Sequence, residues 1–376
     1  MSDGIGWEAA RVAASRCVAP AAVLTLDLGE AVGAVLAVDV VARRPVPHYD
    51  SSAMDGWAVA GPAPWTLVPE GPLGSGRARA VVTGGLLPAG TEGVVPTERG
   101  TVHDGRVLAE RPAEGAHLRR AGEEAAAGTI LVRAGTRLSP AHVAVLAIAG
   151  VDAVPARQPP RVGIVLTGDE VVTRGEPGAG RVRDAFDPLL PEAVARLGAV
   201  AMPPVRVGDD PAAIRAAIDG LAVAEVVVTT GGTGRSPADR LREAVAGATT
   251  VFDGVTMRPG HPALLTVLPD GRPLLALPGN PLAAVAVLLS FLGPVVDALT
   301  AASSPPPPRR RVAEALEGWR GGTALVPCAA GDAGLTPAPA ARPGMLRGLA
   351  ASSVLAVVPP PGADAGGTVA VLPLPW

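Results

Sequence analysis

The sequence predicts a multidomain α/β protein: a central α/β domain with a mostly parallel sheet, an inserted β-rich domain and a small C-terminal β domain. Three observations carry this. From Arg161 onward, Val- and Leu-rich stretches alternate with helix-like ones. Between Pro45 and Leu131, Gly and Pro cut the chain into short alternating segments. After "SSPPPPRRR" (303–311), which reads as a proline-stiffened linker, the chain runs on to Trp376 in short β-like pieces.

Taken in order, "WEAARVAASRCVA" (7–19) has helical spacing. "VLTLDLGEAVGAVLAVDVVA" reads as a strand, a short helix and a strand. The broken region offers the strands "GWAVAG", "WTLVP", "ARAVVTGG", "EGVVPTE" and "GRVLAE", and "GTRLSPAHVAVLAIAGVDAVPARQPP" is a helix followed by a strand. "RVGIVLTGDE" is a buried strand ending in polar residues, "DPLLPEAVARLGAV" a helix, and "AMPPVRV" a strand. "DDPAAIRAAIDGLA" is a helix opening on acidic cap candidates. "AEVVVTTGGTG" is a strand running into a glycine loop, and "ADRLREAVAG" is a helix. "RPLLALPGNPLAAVAVLLSFLGPVV" is a strand, a tight loop and a long helix. Ligands of such sheets bind beyond the carboxyl ends of the strands, and "TGDE", "TTGGTG" and "LPGNP" all fall there. The expected domain limits are 1–20 with 159–303 (α/β), 21–44 with 136–158 (linker domain), 45–135 (β-rich) and 309–376 (β-barrel-like).

Composition narrows the function. Apolar residues make up 48% and aromatics 2%, so Ala, Val and Leu fill the core. A net charge of −3 supplies no basic field for duplex binding, and nucleic acid is not an expected partner. A pocket for an anionic small ligand needs only a few local cations. Cys17 and Cys328, far apart, suggest neither a zinc cluster nor a disulfide framework and fit a reducing cytoplasm. The N-terminal stretch has no signal-peptide pattern, and "LAAVAVLLSFLG" is too short to span a bilayer, so no membrane association is expected.

Four motifs carry chemistry. In "TTGGTGRSPAD" (229–239) the glycines would let backbone N–H groups approach an anion at a helix start; the alternative is a tight strand–helix turn. In "LPGNP" two prolines fix the backbone around Gly279, and Asn280 is a cap candidate; alone, this is a rigid turn. In "TGDEVV" the adjacent Asp169 and Glu170 suit magnesium beside a phosphate, or else form a solvated helix start. Asp55 in "SSAMDGW" by itself reads as an Asp-Gly turn. The histidines His48, His103, His117, His142 and His261 show no ligand spacing, and no nucleophile–base arrangement is visible. "RRR" (309–311) reads as a solvated linker end.

Together, and in order along nearly the whole chain, these motifs resemble the molybdopterin molybdenumtransferase family, the bacterial molybdenum insertases related to the E domain of gephyrin. "RPVPHYDSSAMDGWAV" is similar to the family's "P-x-P-x-x-D/N-x-SAMDGYAV", and "VVTGGLLPAGTEGVVPTE" to "TGA-x-LP-x-GADAVV-x-x-E". "TGDEVV" is similar to "TGDEL", "VTMRPGHP" to "V-x-M-x-PGKP", and "LPGNPLAAV" to "LPGNPVSA". SAMDG and LPGNP are specific in combination. The resemblance implies the molybdopterin-binding fold for the α/β domain. It also implies a magnesium-dependent transferase that accepts adenylylated molybdopterin, releases AMP and places molybdate on the dithiolene.

It further implies a homodimer in which the SAMDG loop of one subunit faces the glycine-loop domain of the other. Asp55 would help hold molybdate or a metal ion. Asp169, Glu170 and Asp239 would supply magnesium and substrate contacts, and Gly231, Gly232, Thr233 and Gly234 would cradle the pterin's phosphate. Ser52, Thr83, Asp184 and Ser236 would add substrate contacts, as would Arg258, His261, Pro278, Gly279, Asn280 and Pro281. The implied partners are the adenylyltransferase that makes the substrate and the molybdoenzymes that receive the product. The chain departs from the family in places. "TTGGTGRSPAD" stands for "SGGVSVGDYD": Asp239 matches its last Asp, while Pro237 replaces the first. The GGTG form resembles the adenylyltransferase, which shares this fold. Glu124 replaces an Asp, Phe186 an Asn beside the retained Asp184, and His261 a Lys. Pterin adenylylation and a catalytically impaired pterin-binding paralogue therefore stand as alternatives to insertion. Molybdate and tungstate are not distinguished.

Overall fold

Three apolar runs, Arg161–Leu166, Val226–Thr230 and Pro273–Leu277, pair in parallel at the centre of one sheet. The last two are buried at every position, because both faces of the sheet are covered. Ile164, Val228 and Leu277 belong to the core on one face; Val165, Val227 and Ala276 belong to the core on the other. Two antiparallel strands, Leu264–Val267 and Thr249–Asp253, extend the sheet beyond Pro273–Leu277. At the other edge "AMPPVRV" forms two strands of two residues, Val200–Ala201 and Val205–Arg206, both parallel to Arg161–Leu166. A single strand was expected there. Pro203 and Pro204 have no N–H to donate, and the ladder breaks between the two pieces.

The computed structural model describes residues 4–231 and 240–376. The chain divides into two units, Met1–Leu24 with Gly33–Ala37 and Ala156–Trp376, and Thr25–Val32 with Val38–Pro155. In the first unit, helix Pro281–Thr300 begins with Pro at its first position, where the missing N–H costs nothing. Among the described residues it is the one helix long and apolar enough to cross a membrane, and it is mostly buried inside the protein. Helix Trp7–Arg16 packs on it. The indole Nε1 of Trp7 donates to Ser290 Oγ at 2.9 Å, and Arg11 donates to the Ser290 carbonyl at 2.7 Å. Helix Pro211–Gly220 is capped by Asp210, whose carboxylate accepts the Ala213 N–H at 2.8 Å.

The C-terminal strands Thr323–Gly331, Gly334–Pro337, Val354–Val358 and Thr368–Pro373 form an antiparallel sheet. Arg309–Arg311, expected as a linker end, is a solvent-facing strand on Thr368–Pro373. The next residue, Val312, bridges to Leu335, so the sheet curls back on itself around Val312, Cys328, Leu335 and Val371. Val255–Arg258 and Ile5–Gly6 continue the sheet from Thr323.

The second unit carries a six-stranded sheet ordered Gly100–His103, Arg106–Ala109, Trp65–Leu67, Arg77–Val81, Gly56–Ala60, Gly93–Pro96. The short alternating segments in the sequence are these strands. Trp65 is buried with its Nε1 donating to the Gly61 carbonyl at 3.0 Å. Helix Pro140–Ile148 starts with a reciprocal cap between Ser139 and His142.

The Trp7–Ser290 bond is buried, so removing its donor leaves an unpaired hydroxyl. Trp7→Phe should lower stability by about 1–3 kcal/mol, and Ser290→Ala in that background should add less than it does in the wild type. Denaturant midpoints of the four proteins measure this; additive losses would show that the bond contributes nothing.

Candidate active site

Parallel pairing sets Thr229 beside Val165 and Thr230 beside Leu277, so the three central strands end together. The loops that follow line one cavity of about 520 Å³. "TGDE" contributes Thr167, Gly168 and Glu170; the glycine loop contributes Gly231; "LPGNP" contributes Gly279, Asn280 and Pro281. The loops are tied to one another at their bases. Thr167 donates its N–H to Thr230 Oγ1 at 3.2 Å and its hydroxyl to the Thr230 carbonyl. Gly231 donates to the Leu277 carbonyl at 2.9 Å with φ of 74°, a conformation that suits glycine. Asn280 sits at the helix cap position but makes no side-chain cap bond, so its amide remains available at the cavity wall.

The polar wall is mixed in sign. Glu170, Asp184 and Asp209 bring carboxylates, and Arg183 and Arg240 bring guanidinium groups. Asp209 and Asp210 both read as cap candidates in the sequence. Asp210 takes the cap, and Asp209 accepts the Asp169 N–H at 3.1 Å. The Asp169 carbonyl accepts a bond from Arg181. Asp184 has a side chain only 5% exposed and is internally satisfied. One oxygen accepts the N–H groups of Phe186 and Asp187 at 2.9 and 3.3 Å; the other pairs with Arg206. It lines the cavity as a loop clamp more than as a free ligand. Phe186, Ile214, Leu241 and Leu346 make the apolar wall. The volume lies within the range of small-molecule pockets.

Other expected site residues are placed elsewhere in this unit. Arg258 lies 4.6 Å over the Trp319 ring, and His261 Nδ1 lies 2.7 Å from the Val255 carbonyl, tying its own turn. Neither they nor Pro278 and Asp169 form the cavity lining. Gly232, Thr233, Gly234, Ser236 and Asp239 lie outside the described residues. Thr230, Asp209, Arg183 and Arg240 were not singled out as ligands. Asp209 reads in the sequence only as a cap candidate beside Asp210.

In the second unit two separate motifs form one loop pair. Ser52 and Gly84–Gly85 of "TGGLLP" exchange backbone bonds at 2.8 and 3.0 Å, and Asp55 Oδ1 accepts the Thr83 N–H at 2.6 Å. Ser52 is fully buried, its hydroxyl donating to the Met54 carbonyl at 2.5 Å, so it holds the loop. Asp55 and Thr83 are exposed. Gly56 after Asp55 is required, since a Cβ there would collide with the Val95 carbonyl. At the loop's base Asp50 accepts the Ala121 N–H at 2.7 Å and pairs with Arg120 at 2.8 Å. These two contacts, the backbone bond first, hold its carboxyl below the ordinary 3.8. Val82 and Leu86, flanking Thr83, are 66% and 71% exposed.

Comparison with known proteins matches two stretches of the chain. Residues 7–150 match "MoeA N-terminal region (domain I and II)", and residues 163–298 match "Probable molybdopterin binding domain". The crystal structure of molybdopterin biosynthesis moeA protein from Pyrococcus horikoshii OT3 superposes with a TM-score of 0.77 at 22% identity. That likeness covers 98% of this chain and 99% of that one, which makes the molecule a multidomain α/β protein of the MoeA fold. Sequence relatives go further. Molybdopterin molybdenumtransferase 2 of Mycobacterium tuberculosis (strain ATCC 25618 / H37Rv) is 31% identical over 72% of this chain and 74% of its own length. The molybdopterin molybdenumtransferase of Nostoc sp. (strain PCC 7120) is 33% identical over 73% of this chain and 69% of its own. The chain belongs to the molybdopterin molybdenumtransferase family.

A lowered folded-state carboxyl value means that Asp50 stabilises the fold above its unfolded value near 3.8, and that this contribution is lost as pH falls through the lower folded value. Asp50→Asn should therefore lower stability at pH 7 by roughly 0.2–1 kcal/mol, given solvent screening of a partly exposed pair. Melting curves of the two proteins should converge as pH falls below about 4; a difference that persists undiminished in acid would contradict the charge-based clamp.

Proposed function

We propose that this protein inserts molybdate into adenylylated molybdopterin in the cytoplasm, with release of AMP. The observation that carries the proposal is the convergence of "TGDE", Thr230–Gly231 and "LPGNP" on one cavity at the ends of three parallel strands. The substrates are anions, and the reaction brings them together. Backbone N–H groups and the guanidinium groups of Arg183 and Arg240 are the stabilising groups on the described wall. Gly231, with Gly232, Thr233 and Gly234 beyond it, is assigned to the pterin's phosphate. Asn280 is assigned a polar edge of the substrate.

Magnesium fits the donor set. It is commonly held by one or two carboxylates and completes its shell with water and substrate phosphates. Glu170 and Asp209 on the wall, with Asp169 beside them, offer hard oxygen ligands. Among the described residues no group of three His, Cys, Asp or Glu could hold a metal alone, so substrate oxygens would be needed to complete the shell. Bound there, magnesium would offset phosphate charge. Glu170 and Asp169 would orient the nucleotide through it, and Asp239 is assigned to the same task.

Asp55 is assigned to the molybdate end. It is exposed and held by the Thr83 N–H on a loop pair braced by Ser52 and Asp50. We assign this loop pair to the glycine-loop domain of a second subunit. The exposed Val82 and Leu86 beside it support a face that meets another protein surface. The adenylyltransferase would deliver the substrate, and molybdoenzymes would take the product.

Asp55→Asn, Asp169→Asn and Asp239→Asn should each leave the melting temperature nearly unchanged. Each should cut formation of molybdenum cofactor by on the order of a hundredfold or more, as for loss of a key electrostatic group. The assay supplies adenylylated molybdopterin, molybdate and magnesium and follows both AMP and cofactor. Normal turnover in all three variants would sink the assignment; in a parallel assay with molybdopterin, ATP and magnesium, adenylylated pterin and pyrophosphate formed without cofactor would favour the adenylyltransferase alternative.

Light scattering at micromolar concentration should give a homodimer mass. A fully active monomer would contradict the shared-site arrangement.

A further inference from the structure

The chain holds three phenylalanines. Phe252 and Phe291 lie in the core with ring centroids 4.9 Å apart. Phe186 does not share that placement. It is half-buried, rests against the same core, and lines the cavity.

Its backbone is fixed on both sides. The Phe186 N–H goes to the Asp184 carboxylate at 2.9 Å, and its carbonyl accepts the N–H groups of Leu189 and Leu190 at 3.1 and 2.8 Å. The same carboxylate is held by Arg206. Little backbone ordering entropy therefore remains to be lost when a ligand meets the ring. Gly168, Gly231, Gly279 and Gly344 contribute wall without side chains. Phe186 is the one aromatic among the described lining residues, and its flat ring suits a planar group.

We propose that Phe186 is a stacking surface for a fused nitrogen heterocycle of the substrate, the adenine of its nucleotide or its pterin. This rests on the cavity being the pterin-nucleotide site. Aromatic side chains and such rings attract in offset or edge-to-face arrangements, and truncating one stacking aromatic commonly costs a base about 5- to 100-fold in affinity. A phosphate or sugar gains nothing from the ring, so the effect should track the heterocycle.

Calorimetry on the full chain would use three probes: AMP, 6-hydroxymethylpterin and ribose 5-phosphate. Phe186→Leu should weaken at least one ring-bearing probe by roughly 5- to 100-fold. Phe186→Tyr should stay within about threefold of wild type, and ribose 5-phosphate should bind all proteins alike. Phe186→Met repeats the test should the Leu variant melt early. Loss for AMP alone places adenine at the ring; loss for the pterin alone places the pterin there. Unchanged affinity of both rings in folded Phe186→Leu or Phe186→Met would overturn the stacking role while leaving the cavity assignment standing. Failure of wild type to bind either ring would overturn both.

Discussion

The proposed chemistry depends on the parallel register of Arg161–Leu166, Val226–Thr230 and Pro273–Leu277. Because these strands pair in step, their carboxyl ends reach one level, and three sequence-distant loops meet there. Burial of both sheet faces holds that register: a one-residue slip would exchange the cores on the two faces. The long helix after "LPGNP" supplies much of one face, so its buried apolar residues support the strand ends indirectly.

Polar groups near the cavity fall into two kinds. Asp184 and Asp210 are spent on the protein itself, one as a loop clamp and one as a helix cap. Glu170, Asp209 and Asn280 line the wall without capping a helix. The second unit repeats the pattern, with Ser52 and Asp50 bracing a loop on which Asp55 and Thr83 remain exposed. Rigid support beneath a few accessible groups is what preorganised charge stabilisation requires.

Much of this was legible in the sequence, because hydrophobic period and glycine–proline punctuation are local signals. The strand ends and the buried character of Pro281–Thr300 follow from them, and an acidic cap at "DDP" was legible without saying which Asp takes it. "AMPPVRV" was misread as one strand because apolar content outweighed two missing donors. The exposed strand Arg309–Arg311 was misread because three arginines carry no strand period. The Asp184–Arg206 pair could not be seen: its partners stand 22 residues apart on different elements. Nor could the arrival of Gly344 and Leu346 at the cavity, which depends on how the C-terminal strands fold back. The union of SAMDG with "TGGLLP" could not be seen, since Asp55 on its own is an ordinary Asp-Gly turn and its partner Thr83 stands 28 residues further on.

The central claim is that the cavity at the three strand ends receives the nucleotide. A crystal structure of the protein soaked with AMP and magnesium measures this directly. The account predicts ligand density within the cavity, with polar contacts to Thr230, Gly231 or Asn280 and a magnesium ion near Glu170. Well-occupied AMP density elsewhere, with this cavity holding only water, would contradict it.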